Sequence, residues 1–393
     1  MRWSNPLVSA VATPPVAAAQ GWIRGRSFPE EKPLLDLAQA VPSYLPAEAL
    51  RRRVAEAANE PETSLYSDIL GAAALRARFA RHLSGEYAAR VEAGNVAITS
   101  GCNQAYCVAV CALAGPGDEV ILPVPYYFNH DMWLRMQGIV PVYLPFDPRH
   151  PGRLRLDALR EALTPRTRAL VLVSPANPTG AEYPSADIEA AHEMLRGRGA
   201  SLVIDETYKD FRAGSGPPHM LMASGAHQDA GLVQLFSFSK AYSMAGYRVG
   251  AIACNAGLLA EIEKLLDCVA ICPARISQAA ALFALEHLNE WREAKSRLMR
   301  ERVGLLREHF ARSNLGYQLV SCGAYFAYVR HPFGGTASLE VARRLADRQN
   351  ILCLPGSFFG PGQDDYLRFA FANVESDCFE ALIDRLRASQ SEG

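Results

Sequence analysis

The chain has 393 residues, 49% of them hydrophobic and 21% charged, with a formal net charge of −1. That length exceeds what one core ordinarily holds, so two lobes are expected, and the composition is that of a globular, soluble protein. The near-zero charge without a basic block argues against nucleic acid as a partner, and nine cysteines with no CxxC pair suggest neither a disulfide framework nor a metal site.

Residues 3–23 carry no charge and follow Arg2, a pattern that raises a membrane span or an export signal. Pro6, Pro14 and Pro15, with Ser4, Asn5 and Gln20, interrupt any apolar helix there. We therefore expect a mobile N-terminal arm, no membrane contact and a reducing cytoplasmic setting. Helical patterns follow at 47–58, 72–83, 103–113, 186–196 and 258–266. They alternate with apolar strand candidates at 96–100, 119–123, 140–145, 168–174, 201–205, 232–238 and 247–254. Runs apolar on both faces, alternating with helices, predict a three-layer α/β/α domain around a mainly parallel seven-stranded sheet. Beyond about residue 278 the pattern changes to a helix-rich stretch (279–312), short strands at 325–329 and 367–371, and a helix at 338–348. This reads as a smaller α+β domain.

Five polar clusters fall at the carboxyl ends of strands, where open α/β sheets bind ligands: SGCNQ at 100–104, PVPYYFNH at 123–130, SPANPTG at 174–180, DETYKDF at 205–211 and SFSK at 237–240. Gly101 permits a tight turn into a helix, leaving the Cys102 and Asn103 amides to face an anion; a capped helix without a ligand is the plainer alternative. Asn177, between two prolines, offers a donor and an acceptor to a phenolic oxygen, although Asn-Pro is also ordinary turn chemistry. Asp205 closes a buried strand, where a carboxylate is costly without a cation; a protonated ring nitrogen or a structural arginine would serve. Of Tyr126, Tyr127 and Phe128, one can stack on a flat ligand, or all can be core.

Lys240 sits among small residues in SFSKAYSMAGYRVG. Drawn from water, its amine loses its proton readily and suits a Schiff base; at a surface it would simply snorkel. Ser237, Ser239 and Arg248 supply the hydroxyls and positive charge that a phosphate needs.

Taken together, these residues resemble the class I/II aminotransferases, fold-type I pyridoxal-phosphate (PLP) enzymes of the aspartate aminotransferase kind, over residues 35–373. The SxSKxxxxxGxRxG pattern is met by Ser237, Ser239, Lys240, Gly246, Arg248 and Gly250. NPTG precedes the DxxY of Asp205 and Tyr208 by 28 residues, and Lys240 lies 35 beyond Asp205. YLRFAFAN at 366–373, preceded by PGSFFG at 355–360, completes the ordered set.

The resemblance implies an enzyme that moves an amino group from an α-amino acid to a 2-oxo acid by a ping-pong mechanism, with PLP and no metal. Lys240 would form the internal aldimine and shuttle the proton, and Asp205, supported by His130, would keep the pyridine nitrogen protonated. Asn177 and Tyr208 would bond the phenolate oxygen while Tyr127 stacks on the ring. Gly101, Cys102, Asn103, Ser237, Ser239 and Arg248 would hold the phosphate end, joined by Tyr66 of a second subunit, hence a homodimer with shared active sites. Arg368 would clamp the substrate α-carboxylate beside Asn177 and Ala40. The expected division is an N-terminal arm and part of the small domain at 1–45, a large PLP-binding domain at 46–285 and a small domain at 286–393.

The sequence departs from the family pattern at Ala40, where a glycine is usual, and at Tyr127, where aspartate aminotransferases carry tryptophan. Arg275 lies near a region from which a neighbouring subunit can approach; it would bind a distal carboxylate or make a structural pair. A β-lyase or cyclising lyase of the same fold shares these residues. A regulatory PLP-binding protein is a further alternative, disfavoured by the lack of a DNA-binding pattern before residue 35.

Overall fold

Seven apolar runs pair into one sheet, and three of them, Val96–Thr99, Ser201–Asp205 and Gly250–Ala253, are buried at every residue. In the computed structural model, which describes residues 4–229 and 231–391, the strand order is Val96–Thr99, Gly250–Ala253, Leu232–Ser237, Ser201–Asp205, Thr167–Val173, Glu119–Pro123, Val140–Leu144. Gly250–Ala253 runs antiparallel to both neighbours, and the other pairings are parallel. The mainly parallel seven-stranded sheet expected from the sequence is present.

Alternation along each strand sorts side chains into two cores. Ile98 and Phe236 face Phe79 and Leu83 of helix Ala73–Glu86 and Ala281 of helix Arg275–His287. Ala97 and Leu235 face the opposite layer, with Ala105 and Ala109 of helix Cys102–Leu113 and Ile262 of helix Ala256–Ala270. Register then gathers the strand ends: Val173 lies beside Asp205, Asp205 beside Leu235, and both Thr99 and Ser237 beside Gly250.

A smaller antiparallel sheet has the order Leu354–Pro355, Tyr366–Phe369, Phe326–Arg330, Gln318–Gly323. Leu35–Asp36 pairs with Ile351–Leu352, so the N-terminal segment joins the C-terminal part. Helices Asn289–Arg312, Ser338–Gln349 and Cys378–Ser391 supply Leu306, Val341, Leu345 and Leu382 to the core beneath this region.

Two expectations need correction. The prolines of the N-terminal run start helices: Pro6–Ser9 and Pro15–Ile23 each begin on a proline, where no amide hydrogen is missed and φ is already helical. Nor is this a loose arm, because Ala19 is fully buried and Gln20 Nε2 donates to Asp36 Oδ2 at 2.9 Å. The stretch 279–312 is helix-rich as expected, and consists of helices Arg275–His287 and Asn289–Arg312, parted at Leu288, whose φ of −117° and ψ of 25° leave the helical region. The run from residue 247 becomes strand only at Gly250, because Arg248 adopts a left-handed conformation with φ of 52°. Helices Phe128–Met136, Leu156–Ala162 and Cys378–Ser391 and strand Gln318–Gly323 lie where the sequence reading assigned no element.

Gly250 marks the tightest approach at the gathered ends. A Cβ there would lie 2.7 Å from the Gly101 carbonyl carbon, 2.7 Å from the Phe236 oxygen and 2.8 Å from the Cys102 nitrogen. Gly250→Ala is expected to cost about 1–3 kcal/mol through overpacking against backbone. Urea denaturation should show a lowered midpoint for it, with little change for Gly246→Ala, whose Cβ would meet nothing within 4 Å. Equal midpoints would contradict the close-packing argument.

Candidate active site

The strand ends open into a cavity of about 470 Å³ lined by Ala40, Cys102, Asn103, Tyr127, Asn177, Asp205, Tyr208, Ser237, Ser239, Lys240, Arg248 and Arg368. Every one of these was singled out in the sequence. Gly101 lies just behind them as the N-cap of helix Cys102–Leu113, with φ of 87°, and a Cβ there would overlap the Arg248 guanidinium.

Asp205 ends the central strand Ser201–Asp205 and is 5% exposed. Burial pushes its carboxyl pKa up, but His130 and Thr207 outweigh it and hold the group below the usual range. His130 Nε2 lies 3.5 Å from one oxygen; the Thr207 amide donates to the other at 3.0 Å and the Cys102 thiol at 3.4 Å. His130 is itself fixed by Tyr106, whose ring stacks on it with centroids 3.9 Å apart and whose hydroxyl donates to its carbonyl at 3.1 Å.

Lys240 is carried on the short helix Phe238–Ala241, whose N-cap Ser237 accepts from the Ser239 amide at 3.2 Å. Its ammonium donates to the Ala40 carbonyl. Burial, then repulsion from Arg248 and Arg368, pulls the amine pKa down to about 8 against the opposing attraction of Asp205. A substantial neutral fraction is therefore available near physiological pH.

Two further cations bracket it. The Arg248 guanidinium donates to the Ala245 carbonyl at 3.0 Å and the Ser100 carbonyl at 3.5 Å, leaving its charge without a carboxylate in those bonds. Arg368, on strand Tyr366–Phe369, is 2% exposed. It donates to Asn177 Oδ1 at 3.1 Å and to the Ala38 carbonyl, while its Nε has no partner. Phe326 and Phe359 lie 5.1 and 5.3 Å from its guanidinium carbon. Burial lowers its pKa to about 10, so it stays cationic at neutral pH. Tyr208 and Tyr127 are buried phenols; burial pushes Tyr208 well up and Tyr127 to about 12, so both remain donors.

Tyr66 and Arg275 are outside the cavity and beside each other: Arg275 donates to the Tyr66 carbonyl at 2.7 Å, and Tyr66 is 73% exposed. Sequence reasoning missed Pro14, Val16, Gln39, Val41 and Asn129, which also line the cavity. Asn129 lay within a quoted strand-end cluster, and its neighbours were the available signal. Pro14 and Val16 lay in the run read as an arm, and nothing in their local pattern pointed inward. The Cys102 thiol was also missed, because attention went to its backbone amide.

An open helix N-terminus, two serine hydroxyls and an uncompensated arginine suit a phosphate. An ionised carboxylate suits a protonated ring nitrogen, and a lysine of lowered pKa between them suits an aldehyde. The fold and cavity thus define an enzyme built for a flat, phosphate-bearing carbonyl cofactor. Comparison identifies which: residues 32–386 match the family Aminotransferase class I and II, and the chain belongs to it. An aromatic aminotransferase of Arabidopsis thaliana is 30% identical over 361 residues, 90% of this chain and 89% of that one. An arginine–pyruvate transaminase of Pseudomonas aeruginosa is 32% identical over 303 residues, 77% of each chain. Aspartate aminotransferase from Thermus thermophilus with maleate shares the fold, with a TM-score of 0.89, 24% identity and coverage of 99% of this chain and all of that one. The protein is a PLP-dependent transaminase.

The lowered pKa of Lys240 is open to direct measurement. In the cofactor-free protein, competitive acetylation followed by mass spectrometry should give Lys240 a half-maximal rate near pH 8. An ordinary lysine titrates near about 10.4. Removing a positive neighbour favours the protonated amine, so Arg248→Gln should move that midpoint upward. A midpoint that stays put would remove Arg248 as a cause.

Proposed function

We propose that this enzyme moves an amino group between an α-amino acid and a 2-oxo acid in two half-reactions of a ping-pong cycle centred on Lys240. The observation that carries this reading is the lysine itself, partly buried, lowered in pKa and facing Asp205 across a cavity that also contains Arg368. PLP, when bound, supplies an electrophilic carbonyl carbon and an electron-withdrawing ring that stabilises negative charge at the substrate Cα.

The side chains would divide the work as follows. Lys240 would hold the cofactor through its amine and, as a free amine, would serve as the base that takes the Cα proton and returns it. Asp205 keeps the ring nitrogen protonated, and His130 and Thr207 keep Asp205 ionised. Tyr208 and the Asn177 amide would donate to the cofactor's phenolic oxygen, and Tyr127 would hold the ring. The Cys102 and Asn103 amides, Ser237, Ser239 and Arg248 hold the phosphate behind the Gly101 turn. Arg368 binds the substrate α-carboxylate, its unpartnered Nε being one reason to expect an anion there. That grip orients the Cα–H bond for the lysine.

We further propose a homodimer in which Tyr66 reaches the phosphate of the other copy. Leu65, Tyr66, Val269 and Ile271 are exposed, and their segments are stitched together by the Ser67 amide on Cys272 Sγ at 3.4 Å and by Arg275 on Tyr66. A shared apolar face of this kind favours a second copy. A cytoplasmic setting is supported by cysteines that are all free. Among the described residues no helix is long and apolar enough to cross a membrane. The relatives' names span aromatic residues, aspartate and arginine, so kinship alone does not select a donor.

Lys240→Ala should abolish multiple turnover while the protein still binds PLP without a covalent bond; sustained turnover would remove Lys240 from its role. Arg368→Ala should lower kcat/KM by about 100-fold, or ~3 kcal/mol, for loss of a charge-assisted pair. Unchanged kcat/KM would sink the clamp. Product analysis decides the reaction class: a new amino acid plus a 2-oxo acid supports transfer, whereas ammonia and pyruvate from a cysteine conjugate would mark a lyase.

A further inference from the structure

We infer that the amino donor carries an uncharged, largely apolar side chain, and that Pro14 and Val16 of the N-terminal segment form the wall that selects it. The inference rests on the transaminase reading and deepens it. Among the described residues the cations lining the cavity are Lys240, Arg248 and Arg368. Each has a role in that reading: the reacting amine, the phosphate end and the α-carboxylate. None of these cations of the same copy is left for a second carboxylate on the substrate. Gln39, Asn103, Asn129 and Thr207, which also line the cavity, carry uncharged side chains. Pro14, Val16, Ala40, Val41 and Phe128 add apolar lining, and Val16 and Phe128 share one apolar cluster.

The wall is held from behind. Val16 packs into the apolar cluster of Phe128, Phe359 and Leu354, together with Tyr127. Helix Pro15–Ile23 cannot slide away freely, because Ala19 is fully buried and Gln20 is bonded to Asp36 at 2.9 Å. A distal carboxylate brought to this wall would lose water without meeting a cation, which is costly. An aromatic, aliphatic or thioether side chain would instead gain by removing its own apolar surface from water. Arg275, the other arginine considered for a distal carboxylate, lies outside its own copy's cavity and donates to the Tyr66 carbonyl at 2.7 Å, so only a second copy's Arg275 could supply a cation here, which the Arg275→Ala variant tests.

Two readouts on the holoenzyme test this. Calorimetric binding of unreactive acids should favour phenylpropionate over glutarate by about tenfold or more. Single-turnover amino-group transfer should run with kcat/KM at least about tenfold higher for phenylalanine, methionine and leucine than for aspartate and glutamate. Val16→Lys, which brings a cation to the wall, should shrink both ratios. Glutarate binding as tightly as phenylpropionate, or aspartate outpacing the apolar donors, would overturn the inference. So would glutarate binding that disappears in Arg275→Ala, since it would assign the missing cation to a second copy. Should no amino acid react at all, the transaminase reading fails, and the binding ratio still decides what the wall prefers.

Discussion

An ionised carboxylate held at the centre of a buried sheet sets the terms for everything around it. Asp205 stays charged at 5% exposure only because three separate pieces of chain bring donors to it. His130 comes from helix Phe128–Met136, Cys102 from the start of helix Cys102–Leu113, and the Thr207 amide from the turn after the strand itself. Desolvation makes such a charge expensive, so the sequence has to supply all three in a fixed geometry. Tyr106 beneath His130 belongs to the same requirement, as a ring that fixes the orientation of one donor. Parallel register does the assembling, because strands that end together deliver their following loops together.

The positive side of the cavity is the complement of that charge, and it exceeds it. Lys240, Arg248 and Arg368 face a single buried carboxylate among the lining residues. Burial first, and then repulsion from the two arginines, lowers the pKa of the lysine, and the three cations differ in how they respond. Lys240 can give up its proton, which makes it a nucleophile, whereas the arginines cannot and so remain receptors for anions. Arg368, between two phenyl rings and with one nitrogen unpartnered, is the costlier of the two to leave unpaired. The positive charge that adds to burial in activating the lysine therefore also suits the phosphate and the carboxylate that we propose for Arg248 and Arg368.

How much of this was legible in the sequence depends on whether the signal was local. The central strands were readable because burial on both faces leaves an uninterrupted apolar run, and Glu119–Pro123 and Ser201–Asp205 have the expected limits. The site clusters were readable because each follows such a run directly. The N-terminal prolines were misread because proline carries two opposite meanings, breaking a helix from inside and starting one at its first position. Only the burial of Ala19 in a cluster with residues distant in sequence, such as Ala346 and Leu352, decides between them, and no local pattern contains that information. The helix-rich stretch 279–312 could not be divided at Leu288 from the sequence, because a buried leucine fits a helical period whether or not its backbone leaves the helix. Val16 was invisible as a site residue because its contact lies across more than a hundred residues of chain, on Tyr127 and Phe128.

That separation has a physical use. The N-terminal segment enters the site twice through its backbone: the Ala38 carbonyl receives Arg368 and the Ala40 carbonyl receives Lys240. Its pairing of Leu35–Asp36 with Ile351–Leu352 holds those carbonyls in register, and Arg302 anchors the next turn through Ser43 at 2.9 Å. Backbone acceptors are indifferent to the side chains that flank them. The segment can therefore carry different residues at positions such as 14 and 16 while still presenting the same two oxygens to the catalytic cations. Chemistry resides on the strand ends, where every group answers to Asp205. Selection resides on a segment outside the central sheet, where a change of side chain alters what fits without disturbing the charge balance that makes the lysine reactive.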